Sequence, residues 1–177
     1  MRAVIASIEV EYRRYRGLAE GAFRQLSEAQ LGHAPGGGDN SVATVAWHIA
    51  GNLKSRFTDF LLTDGEKPDR DRDSEFLARQ LTHEELMVPW TEGWEILFAA
   101  LAPLTDDDLS RTVTIRQKPL SVVQALHRSL AHAAYHVGQI VYLAKQLCGP
   151  AWSSLSIPPG QSAAYNASPN RERPRGS

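Results

Sequence analysis

One cysteine, Cys148, is all the thiol this chain has. A single thiol excludes an internal disulfide and any cysteine-rich zinc site. It is compatible with a reducing compartment, so the cytoplasm is the expected location. Charge of one sign is also scarce. Nineteen basic residues against twenty acidic ones leave a net charge of −1. No global field therefore points to nucleic acid or to an anionic membrane as a partner. The longest clear apolar run, Ile96 to Leu104, falls well short of the ~18 residues of a membrane-spanning helix. Residues 1–17 carry Arg2, Glu9, Glu11, Arg13, Arg14 and Arg16, too much charge for the apolar region of a signal peptide. Strand signal is sparse, and there is no internal repeat of useful period.

What remains is helical. A chain of 177 residues suits one domain, expected over residues 1–165. The polar, Arg/Pro-rich stretch 166–177 reads as a disordered tail. The first helix is expected from Arg2 to Ser27, with Ile5, Ile8, Tyr12, Tyr15, Ala19, Ala22 and Leu26 forming its apolar stripe. Pro35 to Gly38 breaks the chain. A second helix starts near Asn40 or Ser41 and runs to Thr63, where Asp64-Gly65 stops it. The charged stretch Asp64 to Glu75 reads as a loop, a solvated and internally paired charge run. A third helix starts at Thr82, which has capping-box spacing to Glu85. Pro89 either kinks that helix or marks a second start. Thr112 to Ile115 and Gln117 to Pro119 fit a short hairpin or an extended link. The last helix spans Ser121 to Leu147 and is closed by Gly149-Pro150. Trp152, Leu155 and Ile157 can pin the following segment back onto the bundle. The fold class is all-α: a four-helix bundle, with room for a short β-hairpin before the last helix.

Histidine carries the chemistry. His132 and His136 stand four residues apart in the last helix, a rotation of about 400°, so both project from one face. His48 falls on the inward side of the second helix beside Val45 and Ile49. Asn52 and Arg56 follow along the same stripe, and Gln139 returns to the face of His132. Polar groups on otherwise apolar faces need partners, since each unpaired buried group costs ~1–3 kcal/mol. A metal held by His48, His132 and His136 would supply those partners. His127 precedes His136 by nine residues, about 900°, and should point the opposite way. His33 in the Gly-rich loop and His83 at a helix start are expected at the solvated surface.

Other metal patterns fail. No Glu has His three residues later, as di-iron bundles require. Ala133 stands where a zincin carries Glu. Asp69, Asp71 and Asp73 mimic a calcium loop, but Ser74 replaces the required Gly and Gln80 the closing Glu.

Several stretches resemble the DinB/YfiT-like superfamily of metal-dependent four-helix bundles, and a poorly characterised subgroup of it in particular. They are Asn40 to His48 with Gly51-Asn52, Thr63 to Pro68, Arg72 to Phe76, His132 to Ile140, and Leu155 to Pro158. Where many relatives carry Arg directly after the last His, this chain has Val137. The resemblance implies one divalent ion on His48, His132 and His136, with zinc or nickel as the leading identities. It also implies a homodimer, for which Trp90, Trp94 and Trp152 are candidate anchors. Some relatives transfer low-molecular-weight thiols, and others are called hydrolases by analogy. The expected function is thus a metal-dependent enzyme on a small molecule, with Asn52, Arg56 and Gln139 near the metal or substrate. The alternative is a metal-binding or stress-associated dimeric scaffold without turnover.

Overall fold

A computed structural model describes residues 1–36, 38 and 40–169. Its order is α1 (Ala3–Phe23), α2 (Glu28–Leu31), α3 (Val42–Phe57), α4 (His83–Leu101), β1 (Thr112–Ile115), β2 (Lys118–Ser121), α5 (Val122–Cys148) and α6 (Ser162–Ala167). The four long helices make the bundle, with α3 and α1 each packed against both α4 and α5. Gly37, Asp39 and residues 170–177 lie outside the described residues, so the expectation of a disordered tail falls mostly outside them. Among the described residues no helix is long and apolar enough to cross a membrane.

Local chemistry explains where the helices begin. Ser41 caps α3 by accepting from the Thr44 backbone N–H. Full capping boxes open α4 at Thr82/Glu85 and α5 at Ser121/Gln124, so three bundle helices start on a satisfied N–H group. Pro89 lies inside one continuous α4, which settles the choice between kink and second start against a second start. The apolar stripes meet as expected: Ile5, Tyr12, Leu53, Trp90, Trp94 and Leu126 are among the fully buried side chains.

Two boundaries and one interface expectation differ from the sequence reading. α1 stops at Phe23, and Ser27 opens the separate turn α2 with its own capping box to Gln30. α3 stops at Phe57 rather than Thr63, because Thr58 is extended and Asp59 has φ +49°. That turn lets the chain fold back along α3, where Ser55 Oγ donates to the Gly65 carbonyl at 2.9 Å. Trp90 and Trp94 are 0 % exposed and cannot anchor a dimer. They pack edge-on against Phe23 and Tyr12 inside the core. Trp152 and Leu155 do pack back onto the core, and Gln25 brackets Ser153 by hydrogen bonds to both its N–H and its carbonyl.

The hairpin matters because the charged loop hangs on it. β1 and β2 pair antiparallel through a two-residue turn, Arg116-Gln117, with φ +53° and +62°. Side chains resist that left-handed backbone, which the favoured hairpin turn demands at both positions. Asp64 compensates by accepting from the N–H groups of Arg116 and Gln117 at 2.8 and 2.7 Å. Backbone N–H donation from Glu66, Gln117 and Arg116 holds the Asp64 carboxyl down at about 2. Gly65 N–H then bonds the Thr114 carbonyl at 2.8 Å. Asp69, Asp71 and Asp73 are exposed and the loop's charges pair internally, as read, while Asp64, Glu66 and Glu75 tie the stretch into a built loop.

Two glycines test the packing. A Cβ on Gly93 in α4 would lie 2.8 Å from the Ala50 carbonyl oxygen of α3, a backbone atom that cannot simply swing aside. Gly93→Val is expected to cost about 1–3 kcal/mol or more in urea unfolding, because overpacking outweighs any helix-propensity gain. Gly17 in α1 has nothing within 4 Å of such a Cβ. Gly17→Ala should stabilise by about 0.5–1 kcal/mol in the same experiment. Equal effects of the two changes would contradict the close α3–α4 approach.

Candidate metal centre

α3 and α5 bring the three histidines together. His48 is 3 % exposed on α3, while His132 and His136 are half-buried on α5. Ring centroids lie 5.1 Å apart for His48–His132, 4.9 Å for His48–His136 and 4.6 Å for His132–His136. One ring nitrogen from each falls within 4.8 Å of the others. His48 Nε2 and His132 Nε2 stand 3.2 Å apart. Two nitrogens on a tetrahedral zinc at ~2.0–2.1 Å would be separated by about 3.3 Å. The three rings can therefore hold one metal ion. His127 is exposed and away from the group, as its position on the helix required.

The far nitrogens fix the tautomers. His48 Nδ1 faces Glu75 Oε2 at 2.7 Å. A carboxylate only accepts, so Nδ1 carries the proton and Nε2 keeps its lone pair for the centre. His136 Nδ1 donates to Gln139 Oε1 at 2.8 Å, with the same consequence. A hydrogen bond on the far nitrogen of a ligating His is the arrangement that orients metal sites. Burial pushes the pKa of His132 down to about 3, with the neighbouring His136 and His48 adding to the effect. Burial also lowers His136, against a raising contribution from Gln139. Neutral imidazoles, which a metal requires, are thus the favoured forms.

Glu75 and Arg70 were not legible as site residues. Glu75 is 4 % exposed, and Arg70 grips both its oxygens at 2.8 Å. Burial raises the Glu75 pKa, but hydrogen bonds from His48 and Arg70 outweigh that and hold it below the ordinary value. Gly51 makes room: a Cβ there would overlap Glu75 Oε1. Phe76 covers the His48 ring at a centroid distance of 4.6 Å. The available signal was indirect, since a ligating His48 needs an acceptor behind it. Nothing in the sequence says which of the six carboxylates between Asp64 and Glu75 supplies it.

The remaining candidates divide. Gln139 touches His136. Asn52 and Arg56 instead line an adjoining cleft of about 210 Å³ whose wall includes His48 and His132. Arg56 is tied to the Gly65 carbonyl and, at 3.0 Å, to Glu66; its burial lowers its pKa from the usual guanidinium value. His33 is exposed, as expected. His83 is only half-exposed, and its Nε2 lies 3.1 Å from the Phe23 carbonyl. The start of α4 rests on the end of α1, so His83 is not a freely solvated residue.

Two measurements follow from this geometry. Glu75→Gln keeps an acceptor for His48 but removes the charge that pairs with Arg70. It should weaken zinc affinity by about tenfold or more in a competitive chelator titration, while His127→Ala leaves affinity unchanged. Unchanged affinity in Glu75→Gln would contradict the role of the carboxylate. The second measurement concerns acid. Unfolded His132 titrates near 6.5 and the folded residue near 3, so between those values the unfolded chain binds more protons. Stability of the metal-free protein should therefore be fully present above about pH 6.5 and fall as pH drops toward 3. Glu75, whose folded pKa is also lowered, adds loss of the same sign below its ordinary value. Urea midpoints that rise from pH 7 to pH 5 would contradict this.

Comparison with known proteins agrees on fold and leaves the reaction open. A crystal structure titled as the conserved protein of locus from Enterococcus faecalis is similar, with a TM-score of 0.62 and 19% identity. The similarity covers 84% of this chain and 99% of that one. No curated protein matches. Residues 2–161 match the family described as "Protein of unknown function (DUF1572)". That match fits the resemblance to a poorly characterised DinB/YfiT-like subgroup, and on it the chain belongs to the DUF1572 family.

Proposed function

We propose that this protein is a metal-dependent enzyme acting on a small molecule, of thiol S-transferase or hydrolase type. His48, His132 and His136 are the ligands of one divalent ion, zinc or nickel. The observation that carries this reading is the cleft of about 210 Å³ that opens onto His48 and His132. A structural site is closed by a fourth protein ligand, whereas a catalytic one keeps a position open. Among the described residues no fourth His, Cys, Asp or Glu joins the group. Glu75 approaches only through the far nitrogen of His48.

An ion bound there supplies Lewis acidity, which lowers the pKa of a water or thiol toward neutrality. The chain's own residues position. Glu75 Oε2 keeps the proton on His48 Nδ1, and Gln139 Oε1 does the same for His136. Asn52 and Arg56 line the cleft where substrate would sit. Among the described residues no Asp or Glu lines that cleft. A homodimer and a cytoplasmic location belong to the same reading, the first resting on the family resemblance and the second on the single cysteine. Nucleic acid is not a partner in it.

The test uses protein stripped by chelation and reloaded with zinc or nickel. It is assayed for transfer of low-molecular-weight thiols to electrophiles and for ester and amide hydrolysis. Turnover is expected in loaded protein, and it should be lost in His132→Ala and kept in His127→Ala. Equal turnover by stripped and loaded protein, or none by loaded protein in either reaction class, would contradict the proposal.

A further inference from the structure

The cleft beside the three histidines is walled by five arginines, Arg56, Arg70, Arg72, Arg116 and Arg128, and, among the described residues, by no carboxylate. They converge from separate parts of the chain. Arg56 lies two turns past His48 on α3, and Arg128 one turn before His132 on α5. Arg70 and Arg72 come from the loop, and Arg116 from the hairpin turn. Like charges gathered in one concavity repel, and low-dielectric walls strengthen the field there.

The protein's own anions leave that field incompletely answered. Glu66 is shared among Arg56 at 3.0 Å, Arg70 at 3.5 Å and Arg116 at 2.9 Å. Glu75 is shared between Arg70 and His48. Among the described carboxylates Arg72 reaches the fully exposed Asp73 alone, at 3.8 Å, and its guanidinium lies over the Phe76 ring. Among the described residues no carboxylate lies within ion-pair distance of Arg128. The Arg70 side chain is 6 % exposed, and its Nη1 makes no hydrogen bond, its one anion being Glu66 Oε1 at 3.5 Å. A buried guanidinium N–H held only by a long ion pair keeps hydrogen-bonding capacity to spare, and this one belongs to a residue of the cleft wall.

We propose that the substrate is a small oxyanion, a molecule bearing a carboxylate or phosphate group that the arginines of this cleft bind while its reactive end faces the three histidines. Guanidinium forks suit either head group by paired charge-assisted hydrogen bonds. A cavity of about 210 Å³ lies below the ~300 Å³ floor of drug-sized sites, which favours a small molecule. The placing of the reactive end rests on the metal-centre reading, whereas anion capture stands on the arginines.

Calorimetry on the full chain tests it, with inorganic phosphate and malonate as probes and malonamide as the neutral counterpart, at fixed ionic strength. Metal-free and zinc-loaded protein are both titrated. Phosphate or malonate should saturate at one per chain, and the tighter of the two identifies the head group. Malonamide should not bind. Arg116→Gln and Arg128→Gln change exposed side chains. Among the described residues Arg128 carries no ion pair that its loss would break, and Arg116→Gln removes one of three Glu66 partners. Circular dichroism checks the fold of both, and each should weaken the anion by about tenfold. Saturable binding of neither anion, or binding unaltered in both variants, overturns the inference. A parallel zinc titration separates the two readings. Zinc bound one to one with no anion binding removes this inference and leaves the metal centre standing, and anion binding without zinc does the reverse.

Discussion

The hydrogen bond between His48 Nδ1 and Glu75 Oε2 ties the loop to the bundle at the histidine cluster itself. On one side stands the bundle, which holds His48 at the α3–α5 contact. On the other stands the loop between α3 and α4, which carries Arg70, Glu75 and Phe76. A buried carboxylate is tolerable only when paired and hydrogen-bonded, and Glu75 has both conditions met by His48 and Arg70. The same bond fixes the tautomer of His48 and so points a lone pair at His132 and His136. Fold, loop order and site chemistry meet in one contact of 2.7 Å.

The loop can deliver Glu75 because its own ends are fixed. Asp64 straps the hairpin turn, Gly65 adds a bond to Thr114, and Ser55 Oγ links α3 to Gly65. Glu66 draws together Arg56 from α3, Arg70 from the loop and Arg116 from the hairpin. Partly buried ion pairs of this kind contribute little net stability on their own. Their consequence here is positional: they set a wall of guanidinium groups beside three imidazoles. A divalent ion would add further positive charge to a site that already lacks lining carboxylates.

Most of the bundle was legible in the sequence because helical periodicity is a local property. The stripes Ile5–Tyr12–Ala19 and Val45–Ile49–Leu53 are buried as read, and the caps at Thr82 and Ser121 open helices where the spacing placed them. The four-residue step from His132 to His136 is likewise local, and His48 followed from a polar residue on an apolar stripe. What was illegible is long-range. Glu75 meets His48 from 27 residues away, and Asp64 meets Arg116 from 52. A run of mixed charges carries no period that shows which members fold inward. Trp90 and Trp94 failed as interface anchors for a related reason: aromatic size marks cores and interfaces alike, and packing partners decided for the core. α3 ended early because tertiary bonds to the returning chain override its apolar continuation through Phe60.

The central claim is a three-imidazole centre with a position left open toward the arginine-lined cleft. X-ray absorption at the metal edge of zinc-loaded protein tests this most directly. The account predicts three imidazole nitrogens at about 2.0–2.1 Å together with at least one light oxygen scatterer. A shell containing sulfur at ~2.3 Å, or one with fewer than three imidazoles, would contradict it.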